Sequence, residues 1–107
     1  MPTAFSNDGQ MLAMASIGVI FEVWNVNQGV RVAQFKDPES RILRRFAFSP
    51  DNQLLAALFD GSIDIYAISD GMLLRTIPLP TGWSTGLSFS PDGRLLAVGS
   101  GYGIIYV

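Results

Sequence analysis

The 107-residue sequence contains no cysteine and no histidine, and only 15% of its residues are charged. Without cysteine there is no disulfide, thiolate nucleophile, iron–sulfur ligation or cysteine zinc site, and without histidine the commonest general base and metal ligand are missing. Most familiar enzyme constellations are thereby excluded, so the chain is expected to be non-catalytic, with no cofactor and no metal. A cysteine-free chain fits any redox compartment. Positive charge is also scarce: 7 Lys and Arg stand against 9 Asp and Glu, a net charge of −2. No overall field draws phosphates or an anionic membrane, and neither nucleic acid nor membrane is expected as a partner. Long apolar runs are missing as well. The mean hydropathy is high at +0.32, yet Met11 to Phe21 is interrupted by Ser16 and Gly18 and falls short of the roughly 20 residues that a spanning helix needs. Residues 1 to 8 show neither positive charge nor an apolar core of a signal peptide, so the cytoplasm is the expected compartment. The length supports one domain at most.

What is present is a repeat. Ala4-Phe-Ser-Asn-Asp-Gly-Gln-Met-Leu-Ala13, Ala47-Phe-Ser-Pro-Asp-Asn-Gln-Leu-Leu-Ala56 and Ser88-Phe-Ser-Pro-Asp-Gly-Arg-Leu-Leu-Ala97 align without gaps, and five of the ten columns are identical in all three. Phe5, Phe48 and Phe89 lie 43 and 41 residues apart. A period of about 40 to 45 residues carrying several short apolar runs is the signature of four-stranded propeller blades.

Each copy translates into geometry. Ser49-Pro50-Asp51-Asn52 and Ser90-Pro91-Asp92-Gly93 suit a type I turn with a bulge, in which Gly9, Asn52 and Gly93 occupy the slot that needs a positive φ. Asp8, Asp51 and Asp92 recur in the turn and are read as turn formers, bonding backbone with their side chains, rather than as calcium or catalytic carboxylates. A strand ends at Ala47-Phe48 or Ser88-Phe89 before the turn. Behind it, Met11 to Ala15, Leu54 to Phe59 and Leu95 to Val98 are almost wholly apolar, as strands covered on both faces are. Ala13, Ala56 and Ala97 suit places where neighbouring sheets approach closely. Third strands are predicted over Val19 to Val26, Ser62 to Ile68 and Ile104 to Val107, the second fed by an Asp60-Gly61 hairpin. Fourth, outer strands follow over Arg31 to Phe35 and Leu73 to Ile77. No helical period appears, and the fold class is all-β, built of four-stranded antiparallel blades.

Phe48-Ser-Pro-Asp-Asn-Gln-Leu-Leu-Ala56 and Phe89-Ser-Pro-Asp-Gly-Arg-Leu-Leu-Ala97, with Asp60-Gly-Ser-Ile-Asp-Ile-Tyr66 and Gly71-Met-Leu-Leu-Arg-Thr-Ile77, resemble WD40-type β-propeller repeats, and the resemblance covers nearly the whole chain. Such turns occur in other propellers too. Trp24-Asn25 and Tyr66-Ala67 stand where the family carries Trp-Asp, and no Gly-His dipeptide is possible. The family's Asp-His-Ser-Trp hydrogen-bond tetrad therefore cannot form, and these blades are expected to rely on packing and turn chemistry. Trp24 and Tyr66, at equivalent strand positions, are expected in the core.

The repeat phase divides the chain into repeat 1 over about residues 1–42, repeat 2 over 43–82 and a truncated repeat 3 over 83–107. That is about two and a half repeats, whereas a closed propeller usually has about 4 to 8 blades. The expectation is an incomplete propeller, a fragment of a larger one; the alternative is a homo-oligomer, in which three copies give about eight blades.

Arg41, Arg44 and Arg45 place three of the seven basic residues within five positions, at the entry to an innermost strand. The resemblance implies that this loop lies on a face where partners dock, which makes the cluster a candidate grip on an acidic peptide or phosphate. The competing reading is a solvated loop paired with Asp37 and Glu39. Trp83, in the corresponding loop of the next repeat, is a candidate aromatic anchor or a packing residue between blades. Gly99, Gly101 and Gly103 alternate without the lysine or helix of a phosphate loop. By the resemblance, the expected function is a non-catalytic scaffold binding a protein or peptide. The alternative is a propeller segment of a larger enzyme or signalling protein, such as a hydrolase gating propeller, a quinoprotein-like dehydrogenase or the regulatory tail of a kinase or NTPase, whose catalytic residues lie outside these positions.

Overall fold

The computed structural model describes residues 3–15, 20–37, 41–79, 84–100 and 103–106. They form three antiparallel sheets in chain order. Blade 1 holds β1 (Thr3–Phe5), β2 (Met11–Ala15), β3 (Ile20–Asn25) and β4 (Val30–Lys36). Blade 2 holds β5 (Leu43–Phe48), β6 (Leu54–Phe59), β7 (Ser62–Ala67) and β8 (Leu73–Pro78), and blade 3 holds β9 (Ser84–Phe89), β10 (Leu96–Ser100) and β11 (Gly103–Tyr106). The fold is all-β with open sheets, as the repeat predicts.

The first hairpin of each blade is made by the recurring motif. Ser6, Ser49 and Ser90 each accept at their backbone carbonyl the N–H of Gly9, Asn52 and Gly93, at 2.9, 3.0 and 2.9 Å. Those three residues have φ of 73°, 60° and 75°, the left-handed conformation that glycine and asparagine tolerate best. The aspartates do what the sequence predicts: Oδ1 of Asp8, Asp51 and Asp92 accepts the backbone N–H two residues on, each at 3.0 Å.

Blade 2 is sandwiched. Leu55, Ala57, Phe59 and Tyr66 pack in one cluster with Ala13, Phe21, Val23 and Phe35 of blade 1. Ala56, Leu58, Ile63 and Ile77 point the other way and cluster with Leu96 and Val98 of blade 3. Successive β6 residues thus serve opposite cores, which is why this strand is apolar without alternation. Ala13 and Ala56 are fully buried, the small side chains letting sheets approach. Between blades 1 and 2 the core is aromatic, with Phe21 against Phe46 at 5.5 Å and Phe35 against Tyr66 at 4.7 Å between ring centroids, distances typical of favourable tilted and edge contacts. The innermost strands β1, β5 and β9 stand side by side, as blades do around a propeller axis.

Candidate partner-binding face

The arginine cluster sits at the start of β5, where the ladder is irregular. Leu43 pairs with Phe59 but Arg45 pairs with the adjacent Leu58, so a bulge falls at Arg44. In a regular strand successive side chains point to opposite faces; a bulge sets two residues against one and re-aims a side chain. Arg44 and Arg45 are both exposed as a result. Arg44 grips Asp60 of the β6–β7 hairpin through two bonds, Nε to Oδ1 at 2.7 Å and Nη2 to Oδ2 at 3.1 Å. This pairing raises the guanidinium pKa and lowers that of Asp60, the hydrogen bond being the leading cause in both. Beside it, Arg44, Arg45 and Phe46 line a cup of about 440 Å³ with Thr3 and Ala4 of β1 and Gly86 and Leu87 of β9. A second cup of about 410 Å³ shares Ala4, Phe46 and Leu87 and reaches the Phe48 and Phe89 end of the same strands.

Arg41 lies elsewhere. Its backbone N–H donates to Asp37 Oδ2 at 2.8 Å, and its guanidinium turns inward. Nη2 donates to Asp64 Oδ2 at 2.6 Å and to Asp37 Oδ1 at 3.1 Å, while Nη1 donates to Ser62 Oγ at 2.9 Å. The guanidinium carbon stands 4.0 Å from the centre of the Phe59 ring, a cation–π contact. Asp37 and Asp64 are almost wholly buried, and burial is tolerable for them because they are paired and hydrogen-bonded. Asp64 also accepts from Thr76 Oγ1 at 2.9 Å and Tyr66 Oη at 3.1 Å. The Arg41 pKa is raised above its ordinary value, first by the Asp64 bond and then by Asp37. Burial, followed by the Asp64 charge, raises that of the Tyr66 hydroxyl.

The structure therefore divides the predicted cluster: Arg44 and Arg45 face the inner cup, whereas Arg41 enters the seam between blades. Trp83 lies outside the described residues. Tyr66 is buried in the core, as expected, whereas Trp24 is only half-buried and belongs to neither core cluster. The expectation that packing and turn chemistry alone hold the blades needs correction, because the Asp64 network is a buried polar seam. One sequence signal pointed to it: an acid two residues before the aromatic recurs in Glu22-Val-Trp24 and Asp64-Ile-Tyr66. In both, acid and aromatic bond, Trp24 Nε1 donating to Glu22 Oε1 at 3.4 Å.

Among the described residues no group of three acidic, histidine or cysteine side chains is placed to hold a metal, and no helix is long and apolar enough to cross a membrane.

Residues 71–107 match the WD40 family, described as WD domain, G-beta repeat. Over 91% of its length the chain is similar to an uncharacterized WD repeat-containing protein of Synechocystis, at 31% identity, and it spans 28% of that protein. An uncharacterized WD repeat-containing protein of Schizosaccharomyces pombe is 34% identical over 89% of the chain, which spans 21% of it. Human apoptotic protease-activating factor 1 is 32% identical over 91% of the chain, which spans 8% of it. The three blades, their recurring Ser-Asp turns and these matches agree: residues 71–107 are matched as a WD40 repeat, and the chain, built of the same recurring blade, is similar over most of its length to WD repeat-containing proteins.

Proposed function

We propose that the chain is a non-catalytic scaffold that docks a protein or peptide partner on its inner-strand face, with Arg44 and Arg45 as the charged contacts. WD40 repeats generally mediate protein–protein interaction and are generally non-catalytic. The observation that carries the reading is the bulge at Arg44: it places two adjacent guanidiniums on the rim of a cup walled by the innermost strands of all three blades. Guanidiniums recognise carboxylates in a fork geometry, so the partner is an acidic segment, which competes with Asp60 for Arg44. The chain spans 28%, 21% and 8% of the relatives described above, which favours a second reading: these blades are the interaction module of a larger protein whose other activities lie elsewhere.

Double charge reversal, Arg44→Glu with Arg45→Glu, tests the site. The variant is expected to lose at least about tenfold in affinity for each partner that the wild-type chain captures and binds directly, with an unchanged circular dichroism spectrum. Full retention of affinity by a folded variant removes this face from consideration.

A further inference from the structure

Arg41 commits its whole guanidinium to the seam. Nε points at Asp37, at 3.3 Å from either carboxylate oxygen; Nη1 is shared by Ser62 at 2.9 Å and Asp64 at 3.4 Å; Nη2 is shared by Asp37 and Asp64. All five of its N–H bonds have a direction assigned inside the protein. The two carboxylates belong to different blades: Asp37 follows the outer strand of blade 1, and Asp64 is in the third strand of blade 2. A second polar tie joins the same two blades at the hairpin turns, where Asn52 Nδ2 donates to Asp8 Oδ2 at 2.9 Å.

The other junction is built differently. Strand pairing places Leu79 at the position of Asp37, since Phe35 and Ile77 hold equivalent register. It places Ile105 at the position of Asp64, since Ala57 faces Asp64 as Val98 faces Ile105. Counting back from Phe48 and Phe89 sets Gly82 at the position of Arg41, and Gly93 takes the turn position of Asn52. Asp51 keeps the turn position of Asp8, but its partner position is a glycine; Asp37, Arg41, Asp64 and Asn52 are each replaced by an apolar residue or glycine, and the described contact between blades 2 and 3 is the apolar cluster of Leu58, Ile63, Ile77, Leu96 and Val98.

We propose that Asp37, Arg41 and Asp64 form an ionic lock that fixes blade 1 against blade 2, leaving the junction of blades 2 and 3 as the joint at which the inner cup changes width. Fork-shaped charge-assisted hydrogen bonds are directional and tolerate little rotation. Apolar contact is non-directional and permits the small sliding of packed elements known as shear. Thr3, Arg44 and Arg45 stand on the locked pair of blades, and Gly86 and Leu87 on the third. Motion at the joint therefore moves one wall of the cup against the other.

The absence of native cysteine permits clean spin labelling. Gln10, Gln53 and Arg94 are exposed and occupy the same turn position in the three blades. Double electron–electron resonance on the 107-residue chain carrying Gln10→Cys with Gln53→Cys is expected to give a narrower distance distribution than Gln53→Cys with Arg94→Cys. Arg41→Met is expected to broaden the first distribution and leave the second unchanged. Equal widths in the wild-type background, or equal broadening of both pairs by Arg41→Met, overturn the lock, because a general loosening widens both. Should Arg41→Met not fold, Arg41→Lys, which keeps the charge and removes the fork, is read in the same way, and an unchanged first pair there also overturns it.

Discussion

At Ser6, Ser49 and Ser90 one hydroxyl acts as donor and acceptor at once. It donates to the aspartate two residues on at 2.6 Å and accepts the backbone N–H of Met11, Leu54 or Leu95 at 3.0, 2.9 and 3.0 Å. This hydroxyl and the backbone N–H beyond it both bond Oδ1 of the aspartate, and such bonds are stronger to the ionised carboxylate than to its protonated form. These bonds, the serine hydroxyl first, hold the Asp8, Asp51 and Asp92 pKa below the ordinary 3.8. A depressed folded-state pKa contributes stability that is present above the unfolded value and is lost as pH falls through the folded one. The melting temperature is therefore expected to fall as pH drops below 3.8. The triple variant Asp8→Asn, Asp51→Asn, Asp92→Asn is expected to melt lower at neutral pH and to show a shallower acid dependence. An acid slope identical to wild type in thermal melts across that range contradicts the turn assignment. The slope is not expected to vanish in the variant, because the Asp60 carboxyl is likewise lowered by Arg44.

Among the elements, β6 is the one on which both cores depend. Leu58 is fully buried and belongs to the cluster shared with blade 3, while Leu55, also fully buried, belongs to the cluster shared with blade 1. Truncating a buried leucine removes its transfer free energy and leaves a cavity, a cost of about 2–5 kcal/mol. Leu58→Ala is expected to lower chemical-denaturation stability by that amount and to release blade 3 first, seen as faster amide exchange in β9 and β10 than in β2 and β3. Uniform acceleration across the three blades contradicts this assignment of the two cores. Strands such as β6 were legible because their cause is local: an apolar run behind a serine–aspartate turn reads the same in every copy, and in blade 2 an Asp-Gly hairpin closes it. The bulge at Arg44 was not, since nothing in Leu43-Arg44-Arg45 announces two residues set against one. Nor was the lock, because Arg41 and Asp64 are 23 residues apart and a charged loop reads as solvated until the fold brings a buried carboxylate to it. The recurring acid of Glu22 and Asp64 announced one half of that seam; its cation does not recur in the third copy, where Gly82 holds the position of Arg41.

At the scale of the molecule, the same repeat that defines blade 2 shows what blade 1 leaves uncovered. Leu55, Ala57 and Tyr66 of blade 2 are sealed against blade 1, and register places Leu12, Met14 and Trp24 at the equivalent positions of blade 1. Those three are only partly buried, and Phe5 is 63% exposed where its counterpart Phe48 is 7% exposed. The outer strand of blade 2 adds Leu73 and Leu74, both exposed, on a sheet edge. Contiguous apolar surface of this kind promotes association, and unpaired strand edges offer a template for it. Edge bulges work against pairing: the ladder slips in β3–β4 and in β7–β8 at equivalent places, so the face of blade 1 is the stronger driver. The isolated 107-residue chain is therefore expected to associate as its concentration rises, measured as an increasing weight-average mass in light scattering on a sizing column. Trp24→Lys with Phe5→Lys sets two positive charges on that face and is expected to shift the mass towards the monomer, whereas Leu73→Lys on the edge strand is expected to shift it less. A folded wild-type chain whose mass stays monomeric at every concentration refutes the argument from blade equivalence, and a larger effect of Leu73→Lys transfers the driving force to the edge.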